Sequence, residues 1–338
     1  MYSLLLISIL AVEISPQSPS VSPFRQPQIA ARASLVGVTF GSANTVYFAA
    51  SRNFGETFQH PVVVSDKAGS LSLGRHRGPR IAITPKAIVI SAIAGPQGRG
   101  RDGDILVWRS TNHGATWSEP SHVNGVPGSA REGLHSMAAG PDGTLYTAWL
   151  DLRSKGTKLY GAASRDDGKT WSNNELLYAS PEGNICECCH PTVSIGEKGE
   201  PYVMFRNWFQ GNRDMYMISV KDKKATKLGN GSWPLNACPM DGGGLSNEEG
   251  KLYAAWRRDA NVFWNELGKP EVDLGKGKDP AIVATPSGPV VIWNAPEGLR
   301  TKGRVLDLGG SYASVTASGI AVYATWESAK GIRVEKLQ

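Results

Sequence analysis

Two short segments hold the groups best suited to chemistry. Cys186, Cys188 and Cys189 share one tetrapeptide and run directly into His190 and Pro191. The fourth cysteine, Cys238, opens the segment Cys238-Pro239-Met240-Asp241. Thiolate, imidazole and thioether are soft donors that suit Cu(I) or Zn(II), so Cys186, Cys188, Cys189, His190, Cys238 and Met240 form a candidate metal site. The same residues allow a disulfide from Cys238 to one of the clustered cysteines, which needs only an oxidising compartment. Free or redox-active thiols are a third reading. The order Cys-x-Cys-Cys-His is not a zinc-finger spacing, in which paired cysteines lie about two to four residues apart.

The elements that must position these groups are short strands. An apolar strand ending in an aromatic recurs as Leu145–Trp149, Tyr202–Phe205, Leu252–Trp256, Val290–Trp293 and Val322–Trp326, with looser members Leu35–Phe40 and Ala87–Ser91. A smaller strand precedes each, and the units follow one another at spacings of about 32 to 56 residues. Turns such as Pro141-Asp142-Gly143 and Pro286-Ser287-Gly288, with 39 Gly and 21 Pro in the chain, read as antiparallel hairpins and not as long helices. Units of this size holding three or four strands are propeller blades. The expectation is therefore an all-β, single-domain β-propeller over 25–338, with six or seven blades and the count favouring seven. The last unit has room for three strands, so residues 16–24 are expected to be either a linker or the strand that closes the ring.

In such a ring the residues before each innermost strand surround the mouth of the central channel. In order they are Arg25; Arg77 and Arg80; Arg131, Glu132 and His135; Cys188, Cys189 and His190; Cys238, Met240 and Asp241; Asp279; and Tyr312. The two cysteine segments precede neighbouring blades and should meet.

Three units also share an octapeptide, Ser51–Phe58, Ser110–Trp117 and Ser164–Trp171, in copies 59 and 54 residues apart. It resembles the Asp-box (BNR) repeat, Ser-x-Asp-x-Gly-x-Thr-Trp, of the sialidase superfamily, although Asn53 and Asn112 replace the Asp in two copies. The motif itself reads as a capped turn on the outer strands. The resemblance implies a sialidase-like propeller and, if the protein is an enzyme, a glycoside hydrolase of exo-α-sialidase type. That family uses a Tyr nucleophile, an Asp acid/base and three Arg that clamp a carboxylate. Phe24-Arg25-Gln26-Pro27 resembles its first arginine motif, and Arg25, Arg80, Arg131, Glu132 and Tyr312 are the catalytic candidates. The acid/base of the family belongs in the first blade, yet 31–50 contains no carboxylate.

Composition sets the outer limits. The charge of +6 is spread along the chain with no dense basic run, which points to an anionic glycan or small-molecule ligand and not to nucleic acid. The apolar stretch Leu4–Val12 has signal-peptide length, so 1–15 is expected to be a signal peptide of a secreted or periplasmic protein. No segment is long and apolar enough to span a membrane, and a monomer is expected. Gly95–Gly103, with Arg99 and Arg101, reads as a solvated loop or a basic lip over the channel. Three functions follow: a propeller binding or hydrolysing terminal anionic sugars such as sialic acid, a Cys/His metal-binding or redox propeller, and a non-catalytic protein-interaction propeller.

Overall fold

The strands Ile88–Gly95 and Leu145–Asp151 are buried at every position, on both faces. An antiparallel strand of that kind needs a sheet packed on each side, which is what stacking blades around an axis supplies. The computed structural model describes residues 11–97 and 103–338, the side chains of Arg131 and Glu132 excepted. It shows seven antiparallel sheets and no helix among those residues. Six sheets have four strands, and the second blade carries in addition the short strand Ser70–Leu71. The inner strands are Arg25–Arg32, Arg80–Ile83, Ala130–Ala139, Thr192–Ile195, Gly244–Glu248, Lys278–Thr285 and Ser311–Ser318. The recurrent aromatics fill the space between blades; Trp108, Trp149, Trp256 and Trp326 are almost fully buried.

Polar groups tie the inner strands together. Ser136 Oγ accepts the Val193 amide (3.0 Å), Ser246 Oγ the Ala284 amide (2.9 Å) and Ser314 Oγ the Ile29 amide (3.3 Å), each from the following blade. The octapeptides form three matching turns. In each the Ser hydroxyl accepts the Gly amide at 2.8–2.9 Å, and the Asn or Asp side chain accepts the Thr amide. Gly114 sits so close to Phe48 of the preceding blade that an added Cβ would lie 2.2 Å from its ring. These turns join third to fourth strands, so antiparallel alternation puts them on the face opposite the inner-strand starts.

The ring closes with Val12–Ile14, whose residues pair with Val334, Arg333 and Ile332 as the fourth strand of the last blade. This corrects the expected closing strand within 16–24. Pro16, Pro19 and Pro23 offer no amide to a ladder, whereas Ile14 adds an apolar side chain that is 4% exposed. It also conflicts with a leader removed through residue 15, since that cut would take the closing strand with it. Residues 1–10 and the Arg99–Arg101 stretch lie outside the described residues.

Candidate functional site at the channel mouth

The inner strands enclose an axial cavity of about 190 Å³, and His76, Arg80 and His190 lie at its end. Bulges mark the start of three inner strands, at Gln26, Asp279 and Tyr312, each with φ between 53° and 56°. A bulge re-aims the side chain it carries, here toward the mouth. The connection from the first to the second blade then crosses that mouth. Its His76 ring lies against His190 at 4.4 Å between centroids with the planes tilted by 30°, meets Tyr312 perpendicularly at 5.3 Å, and bonds Asp279 Oδ1 through Nε2 at 2.8 Å. Arg75, beside it, donates to Met240 Sδ at 2.9 Å.

Two carboxylates lie under this cover. Asp241 Oδ2 accepts the Asp279 amide at 2.8 Å, while Asp241 Oδ1 is buried and has no partner among the described residues. Burial, and then the neighbouring Asp279 charge, push Asp241 above the ordinary carboxylate range. Burial also works upward on Asp279, but the hydrogen bond and charge of His76, with Lys278 and Arg257 behind them, hold it below its usual value. Burial, followed by Asp279 and Glu327, raises Tyr312. Burial, followed by His76 and Arg80, drives His190 well down, and its Nδ1 also lacks a partner.

The catalytic candidates fall into different environments. Arg25 is half exposed and pairs with Glu327 at 3.0 Å, and Glu327 also accepts the Gln26 amide at 2.7 Å. Arg80 is 6% exposed and gives its guanidinium to the carbonyls of His135, Gly78, Pro79 and His76. Four of its five donors thus brace the backbone around the mouth. Tyr312 lies at the mouth, with its ring perpendicular to that of His76. Arg131 and Glu132 lie on the inner strand of the third blade, with side chains outside the described set. His135 is buried within that strand and bonds Ser91 Oγ at 2.9 Å.

A second cluster lies beside the mouth, formed by two interblade connections and the hairpin after Arg206. Cys186, Cys188 and Cys189 are all buried, and their three sulfurs lie within 4.8 Å of one another. Cys186 Sγ is 3.7 Å from Cys188 Sγ, 3.4 Å from Cys189 Sγ and 3.1 Å from Arg213 Nη1. The hydrogen bonds of Cys188 and Cys189, aided by Arg206 and Arg213, hold Cys186 well below a free thiol despite burial. Its two donors are raised: Cys188 first by its bond with Cys186, and Cys189 first by burial. Cys238 is exposed, with its thiol beside Cys188, so the two segments do meet.

Three expectations for this cluster need correction. All four cysteines are unbridged, because the two segments approach thiol to thiol without closing to bonding distance. His190 is not in the sulfur group; its ring turns to the axis, where Nε2 meets the Gly243 carbonyl at 3.1 Å. Met240 packs against the cysteines, but its sulfur faces Arg75.

His76, Arg213 and Glu327 escaped the sequence reading. The signal for His76 was available in Gly74-Arg75-His76-Arg77-Gly78, a histidine flanked by two arginines and two glycines within a long connection. Nothing local marks Glu327 or Arg213, which are defined by partners distant in the chain.

No protein-family model matches this chain, and no curated protein matches it. Among solved structures it is similar to a Penicillium chrysogenum α-L-arabinanase complexed with arabinobiose, at 14% identity and TM-score 0.62 over 97% of both chains. A Hadza microbial sialidase aligns at 15% identity and TM-score 0.58, over 97% of this chain and 68% of that one. A Trypanosoma rangeli sialidase aligns at 14% and 0.55, over 97% and 59%. The chain thus shares its β-propeller fold with these structures. The likeness, at these identities, is one of fold.

Proposed function

We propose that this propeller processes glycans, binding a terminal anionic sugar at the channel mouth, with Asp241 as acid and Asp279 as base of its hydrolysis. The reading rests on one observation: two adjacent carboxylates over an axial cavity, one pushed toward its protonated form and the other toward its ionised form. Opposed environments of that kind are how one site supplies an acid and a base at a single pH. Arg25, Arg75 and Lys278 give the rim a positive field suited to a sugar carboxylate. A wider groove of about 540 Å³, walled by Pro16, Phe24, Arg25 and Glu327, adjoins the mouth and offers room for the rest of a chain. The fold shared with sialidases and an arabinanase supports the same class of ligand.

His76 covers the pair, so the connection carrying it must swing away for substrate to reach Asp241. Arg75 and His76 both have φ above 45°, a conformation that costs non-glycine residues energy and favours such a change.

The test is hydrolysis of a fluorogenic α-sialoside beside an α-L-arabinofuranoside. The sialoside should be cleaved, with kcat reduced about 10²–10⁴-fold in Asp241→Asn and in Asp279→Asn, and with KM raised in Arg25→Ala. A folded protein that neither cleaves nor binds either glycoside would falsify the proposal.

A further inference from the structure

We propose that Cys186, Cys188 and Cys189 form a trigonal site for a soft monovalent cation, Cu(I), with Cys238 as the exposed thiol through which the ion is exchanged. The inference does not depend on glycan chemistry at the mouth.

Geometry comes first. A metal about 2.3 Å from each of three sulfurs in a plane separates them by about 4.0 Å. The observed separations of 3.7 and 3.4 Å, with all three sulfurs inside 4.8 Å, match that triangle with little adjustment. The backbone holds the cluster in place: the Cys186 amide donates to the Arg206 carbonyl at 3.0 Å, and the Ile185 amide to Thr157 at 3.1 Å.

Charge is the second argument. Arg206 and Arg213 are 2% and 4% exposed, and neither has a carboxylate within ion-pair distance among the described residues. Arg206 bonds the carbonyls of Asp241, Arg213 and Arg257, whereas Arg213 bonds the Leu235 carbonyl and Cys186 Sγ. Two buried guanidinium charges call for an anion beside them. Binding of Cu(I) displaces the thiol protons and leaves three thiolates around one positive charge, a net charge of minus two that the two arginines balance. A divalent ion in the same triangle would leave one arginine without its counter-charge.

Ligand supply is the third. Tetrahedral Zn(II) needs a fourth donor. His190 and Met240 are turned to other partners, and the sulfur of Cys238 lies outside the compact group. Cys238 is exposed and beside Cys188, where it can take the ion from a donor in solution and pass it inward by ligand exchange.

The full-length protein, reduced and kept without oxygen, is titrated with Cu(I) against bathocuproine disulfonate. We expect one Cu(I) per chain and an all-sulfur trigonal shell by X-ray absorption. Cys186→Ser and Cys189→Ser should weaken retention by about 100-fold or more, and Arg213→Met by about 10-fold. Cys238→Ser should leave the equilibrium unchanged and slow the transfer to chelator. The wild-type titration needs no variant to fold. The proposal is overturned if folded wild type loses all Cu(I) to the chelator. It is equally overturned if Zn(II) is held as tightly in a four-sulfur shell that Cys238→Ser abolishes.

Discussion

His135 shows how burial at a single residue sets the response of the whole protein to pH. Desolvation, and then the charge of Arg80, lower it to about 3, so the folded protein keeps it neutral through mildly acidic conditions. The unfolded chain takes up a proton there near pH 6.5, so between about 3 and 6.5 the unfolded state binds more protons. Stability from this group is therefore complete above about 6.5 and falls as pH drops, by up to about 1.4 kcal/mol per pH unit. His190 acts in the same direction. Urea melts at pH 7, 6, 5 and 4 should show that decline, and His135→Gln should flatten it relative to wild type. Identical slopes in the two proteins would contradict the argument. Arg80 gives a companion case: Arg80→Lys leaves several carbonyls of the loop without donors, and a loss of about 1–3 kcal/mol is expected in the same melts.

Connections between blades, more than the strands themselves, decide what the mouth can do. The stretch between Leu71 and Arg80 places Arg75 and His76 across it, and the segments before the fourth and fifth inner strands bring the cysteines together. Gly242 lies in the second of these, where an added Cβ would sit 2.0 Å from the His190 carbonyl oxygen. Gly242→Ala should therefore displace His190 and change ligand binding at the mouth far more than it changes the melting of the ring. The closing strand is the other decisive element. Ile14→Ala removes a buried side chain from the seam between the last and first blades, and a loss of about 2–4 kcal/mol is expected in equilibrium denaturation. A loss below about 0.5 kcal/mol would show that the seam does not need this strand.

A ring of seven blades has no terminal sheet face to cover, and this makes the molecule one cooperative unit. Removing residues 312–338, the larger part of the seventh blade, should abolish a single sharp melt in calorimetry. A truncated protein that still melted cooperatively would show that closure is dispensable. At this scale the charge of +6 spreads over the surface, while the chemistry concentrates on one face. The fold hosts several activities, so it locates a site without naming the reaction, which must be read from the residues at the mouth.

The architecture was legible in the chain because blades are local objects. Apolar strands, an aromatic near the end of most second strands and three capped octapeptides are set by contacts within about fifty residues, and they predict the propeller. The neighbourhood of Cys188 and Cys238 was legible for the same reason, since adjacent blades follow one another in sequence. The partners of the mouth were not. His76 bonds Asp279 across 203 positions, and Arg25 and Gln26 meet Glu327 across about 300, contacts that exist only because the ring closes. Arg80 and Arg25 look alike as strand-end arginines, yet burial ties one to four carbonyls and leaves the other half exposed beside a carboxylate. Residue type limits what a side chain can do; which atoms reach it, and how much water stays, is decided by seven sheets meeting at one axis.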